Sequence, residues 1–82
     1  MYVGRVETEA YMEQLIEVSH LNGAWRLWAR DCLEPVLYLS GSQAEQAARR
    51  LACGFARAGC DAFVHIHDRQ NLLVGDHHYF AN

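Results

Sequence analysis

With 82 residues, 51% hydrophobic and 21% charged, the chain has a globular composition and a length suited to one domain rather than two. Seven basic against ten acidic side chains give a formal charge of −3, which argues against a duplex-binding protein held by phosphate contacts. The three cysteines, Cys32, Cys53 and Cys60, are odd in number and form no C-x-x-C pair, so neither a disulfide scaffold nor a zinc knuckle is indicated.

Along the chain, Met1 to Glu13 is acidic and weakly patterned, and is read as an N-terminal arm or an edge strand. It lacks the charged and apolar regions of a signal peptide, and no apolar run approaches the ~20 residues of a membrane span, so cytoplasm is the expected location. From Gln14 to His20 apolar and polar residues alternate, with Ile16 and Val18 on one side and Glu17 and Ser19 on the other, the pattern of a half-buried strand. Asn22-Gly23 supplies the positive φ values of a tight hairpin turn. The return strand, Ala24 to Arg30, places Trp25, Leu27 and Ala29 on one face and Arg26, Trp28 and Arg30 on the other.

Asp31 to Pro35 is a connector, because proline cannot donate to a ladder. Val36 to Leu39 reads as a third strand. Ser42 with Glu45 has the spacing of a capping box, and a helix is expected from Gln43 to Ala58. Its buried stripe would be Ala44, Ala47, Ala48, Leu51 and Phe55, with Glu45 and Arg49 paired at i, i+4 and Gly59 as the left-handed terminator. Asp61 to His67 is a strand with Ala62, Val64 and Ile66 on one face and Phe63, His65 and His67 on the other. Asp68 to Asn71 turns, Leu72 to Val74 returns as a short strand, and 75–82 is a C-terminal tail.

These elements predict one α+β domain over 1–82, with a core at 14–74. It is a two-layer sandwich of four to five antiparallel strands covered on one face by a single helix, in the order ββ-β-α-ββ. The Asn-Gly hairpin with Trp25, the Ser42-Gln43-Ala44-Glu45-Gln46-Ala47 helix start and the Val64-His65-Ile66-His67-Asp68 strand end together resemble the small bacterial family known as domain of unknown function 2188. The resemblance spans roughly residues 14–74 and implies a bacterial origin and a fold, without an activity to carry over. The family's Asp-Gly turn is Asp68-Arg69 here.

Three constellations carry chemistry. The face opposite the helix gathers Arg26, Trp28, Arg30, Phe63 and His65, with Tyr38 as a further candidate, unless the N-terminal arm or the Tyr79-Phe80 tail covers it. Aromatics interleaved with cations serve protein interfaces and also single-stranded nucleic acid. His65, His67, Asp68 and His77 are imidazole and carboxylate donors suited to zinc or another transition metal, although no familiar metal-binding spacing is present. Arg49, Arg50 and Arg57 line the outer side of the helix, where a solvated face is the simpler account. Cys53 beside them lacks a base placed by sequence.

No catalytic signature is present. The expected function is a non-enzymatic interaction module that uses the exposed aromatic sheet face to bind a protein partner or a second copy of itself, with no cofactor. The alternatives are metal binding through the His/Asp cluster and weak single-stranded nucleic-acid binding.

Overall fold

A computed structural model of the chain describes residues 13–30 and 34–82. The N-terminal arm, and the connector from Asp31 to Leu33 with its Cys32, lie outside the described residues. The elements are β1 (Glu13–Leu21), β2 (Ala24–Ala29), β3 (Val36–Tyr38), α1 (Gly41–Arg57), β4 (Asp61–His67) and β5 (Leu73–Tyr79). The strands form one sheet in the order β3-β2-β1-β4-β5, and α1 packs across one face.

The expected layers and element order are present, but the sheet is mixed rather than antiparallel. β1 and β4 pair in parallel, from Glu13 opposite Asp61 to Val18 opposite Ile66. The cause is the helix. After β3 the chain runs back over the sheet as α1, so β4 starts at the end where β3 started and runs in the direction of β3. Two antiparallel steps separate β3 from β1, so β3 and β1 share a direction. β4, laid beside β1, must then be parallel to it, because a helical crossover joins parallel strands.

The β1–β2 hairpin closes through Asn22 and Gly23, both with positive φ (54° and 81°), as the dipeptide predicts. The N-cap of α1 is Ser40, whose Oγ accepts from Gln43 N at 3.1 Å; Ser42 lies exposed in the first turn. Ser40 with Gln43 has the same spacing as Ser42 with Glu45, and the earlier pair takes the cap because β3 ends at Tyr38. The Glu45–Arg49 pair forms as expected. At the other end Gly59 (φ 93°) lets Gly59 N donate to Ala56 O and Cys60 N to Phe55 O, a Schellman closure.

The buried line of the helix is Ala44, Ala48, Ala52 and Ala56, while Ala47, Leu51 and Phe55 pack at its flank, half-buried. Side chains with only a Cβ let α1 lie close on the sheet, where they meet Ile16, Val18, Leu27, Ala29, Ala62 and Val64. Trp25, Tyr38, Ile66 and Tyr79 close the margins of this core.

The largest departure is at the C-terminus. The strand expected to stop at Val74 continues to Tyr79, with Val64 opposite His77 and Ala62 opposite Tyr79. Gly75, Asp76 and the two histidines are poor strand formers, but pairing with the apolar β4 overrides local preference. A register shift at Ile66/His67 sets β5 into place. Beyond it, Ala81 N donates to Asp61 Oδ1 (2.9 Å) and Asn82 N to Ala56 O (3.0 Å), so the last residues are tied to β4 and α1.

Candidate functional site on the open sheet face

Alternation assigns every second strand residue to the face away from α1, and the pairing registers align these residues in rows. One row runs Leu37, Arg26, Ser19 across β3, β2 and β1. The next is Trp28, Glu17, His65, Asp76 across four strands. The third is Leu15, Phe63, His78. Arg26, Trp28, Phe63 and His65 are all half-buried, held by their neighbours within the face.

Arg26, Trp28 and Phe63 therefore stand where the sequence places them. Arg30 lies just past β2 and is exposed, its N–H donating to Leu15 O at 3.1 Å. Tyr38 does not join them. It pairs with Trp25, so it faces α1 and packs on the core; Leu37, opposite Arg26, takes the position on the open face. The error is one of strand phase, because a single residue of register moves a side chain to the other face.

Glu17, Ser19, Arg26 and Trp28, with Pro35 at the rim, line a depression of about 410 Å³ on this face. Arg26 is the unusual member. Its Nη2 lies 3.5 Å from Ser19 Oγ, and its Nε is buried without a hydrogen-bond partner. Among the described residues no carboxylate comes within ion-pairing distance of it. A guanidinium has five donors in a planar fork, and here most of that capacity is unspent. Glu17 and Ser19 are the residues that reading single strands misses as site members. The alternation of β1 already marks them as outward, and only the register shows which side chains they meet.

The other half of the face is an aromatic ladder. The rings of Phe63 and His78 stack with centroids 4.2 Å apart, and those of His78 and Phe80 with centroids 3.9 Å apart. His78 Nε2 lies 3.0 Å from Asp61 Oδ2. The Ala81 N–H, then His78, hold the Asp61 carboxyl below the ordinary aspartate value by hydrogen bonding to its charged form.

The four residues considered for metal are not brought together. His65 Nε2 lies 3.4 Å from Asp76 Oδ1. His67 Nδ1 is 3.2 Å from Val18 O, a contact in which the imidazole donates to the carbonyl. Asp68 Oδ1 accepts from Gln70 N (2.8 Å) and Leu72 N (3.0 Å), so its carboxylate organises the β4–β5 turn. His77 pairs with Val64 and therefore projects on the side of the helix. Among the described residues no three His, Cys, Asp or Glu side chains are grouped as a metal ion would need. Cys53 and Cys60 are free thiols. No helix among the described residues is long and apolar enough to cross a membrane.

No family model, curated protein or solved structure matches the sequence.

Proposed function

We propose that this domain is a non-enzymatic interaction module. Its open sheet face receives a protein partner that presents a carboxylate to Arg26 and an apolar surface to Trp28. The observation that carries this reading is the Arg26 guanidinium, lodged in a depression beside a tryptophan with its Nε buried and unpartnered. No carboxylate among the described residues pairs with this guanidinium, and a ligand carboxylate at its outer nitrogens would form the charge-assisted contact arginine is shaped for. Arginine and tryptophan are also the side chains most often dominant at protein interfaces.

A protein partner is favoured over single-stranded nucleic acid because Glu17, Asp76 and Asp61 share the face with its aromatics. Carboxylates spaced along a stacking platform would repel a phosphate backbone.

The test is a titration of the full chain with glutamate- and aspartate-bearing peptides containing an apolar residue, followed by the Arg26 Nε–H and Trp28 indole NMR signals. Both signals are expected to shift and saturate. Arg26→Ala is expected to weaken binding roughly 30-fold, the equivalent of about 2 kcal/mol. Shifts confined to residues of the helix face would overturn the reading. So would salt-sensitive binding of oligonucleotides with no response to peptides.

A further inference from the structure

Both edges of the sheet are strands, and they differ in how they are guarded. β3 is three residues long and is preceded by Pro35, which cannot donate to a ladder. β5 is seven residues long and carries three apolar side chains at or beside its ends that are more than half exposed: Leu73 53%, Val74 63% and Phe80 70%. It has neither proline nor lysine. Unpaired backbone donors and acceptors along such an edge are a template for another strand.

The sequence of β5 is complementary to itself in one register. For a two-fold pairing that continues the sheet, residues facing each other must lie on the same face, so the axis must pass through a residue. An axis at Asp76 sets two carboxylates directly opposite one another. An axis at Gly75 sets Val74 against Asp76. An axis at His77 sets Asp76 against His78 twice, Gly75 against Tyr79 twice and Val74 against Phe80 twice. In that register the Asp76 carboxylate meets the His78 imidazole and the exposed Val74 meets Phe80. The His77 side chains of the two copies meet at the axis.

We infer that two copies of this chain pair antiparallel through β5, about an axis at His77, to form a continuous ten-stranded sheet. The row Glu17, His65, Asp76 then continues into His78 and Phe63 of the second copy, alternating acid and imidazole across the junction. Opposite charges and apolar pairs placed directly across antiparallel strands are the units that stabilise such a seam. The inference does not depend on Arg26 or Trp28, which lie on the far side of β1.

Sedimentation equilibrium of the full chain is expected to give twice the 9.3 kDa of one copy. His77→Asp sets two carboxylates across the axis, and Val74→Asp sets a carboxylate against Phe80; each is expected to return the mass to 9.3 kDa with an unchanged far-UV spectrum. Trp28→Ala is expected to remain dimeric, which separates this interface from the partner site. In the unmodified chain, hydrogen exchange at β5 amides is expected to slow as concentration rises. A mass of one copy at millimolar concentration would overturn the inference. So would folded His77→Asp and Val74→Asp variants that stay dimeric, a monomeric Trp28→Ala variant, or concentration-independent exchange along β5.

Discussion

Asp61 ties the C-terminus to the sheet through contacts that depend on its charge: the Ala81 N–H at 2.9 Å and His78 Nε2 at 3.0 Å. Because these lower its folded-state pKa, the stabilisation is fully present above the ordinary value of 3.8 and is lost as pH falls through the folded-state value. Asp61→Asn keeps the shape but removes the charge. The variant is expected to melt below the unmodified protein at pH 7, and the two melting curves are expected to converge once the solution is acidified below the folded-state value. Thermal unfolding followed by circular dichroism across that range checks it; a gap that persists in acid would show that the charge is not what matters. The residue was visible in the sequence only as the first position of a strand. Its partners lie 17 and 20 residues away, and local patterning carries no information about them.

At the scale of elements, the helix shows how far periodicity reaches. The alanine-rich stripe is legible at 3.6-residue spacing, but its centre is displaced from the expected one: Ala52 and Ala56 belong to the deepest line, while Leu51 and Phe55 stand at the flank. A broad apolar stripe permits several rotations of the helix, and the sheet selects the one that brings Cβ atoms closest. Ala52 is fully buried against that surface. Ala52→Leu adds volume where no space exists, and urea unfolding is expected to show a loss of about 1–3 kcal/mol. A neutral or stabilising result would mean that α1 stands further from the sheet than the packing indicates. The cap illustrates a related ambiguity. Two serines, each followed three residues later by Gln or Glu, satisfy the same rule, and only the end of β3 decides between them.

At the scale of the molecule, β1 and β4 are joined by the most distant strand pairing among the described residues, in register from Glu13 opposite Asp61 (61 − 13 = 48 residues apart). Ile16, Val18 and Val64 at this junction are the largest fully buried side chains among the described residues. An 82-residue domain has a total stability on the order of 4–12 kcal/mol at roughly 0.05–0.15 kcal/mol per residue. Ile16→Ala removes about 2–5 kcal/mol, a large share of that total. Its urea midpoint is expected to fall by roughly a sixth or more. A midpoint within a tenth of the original would place the centre of the core elsewhere.

By itself the sequence determined the identity and order of the elements, the Asn22-Gly23 hairpin, the Gly59 helix stop and the outward placement of Arg26, Trp28, Phe63 and His65. Each of these rests on interactions within a few residues: a backbone angle, a capping contact, an alternation of faces. The tertiary structure alone decided the parallel pairing of β1 with β4, the extension of β5 to Tyr79, the turn of Tyr38 toward the core and the separation of His65, His67, Asp68 and His77. Those outcomes depend on which strand lies beside which and in what register, and that is fixed by burying one common apolar face under α1 rather than by any local preference.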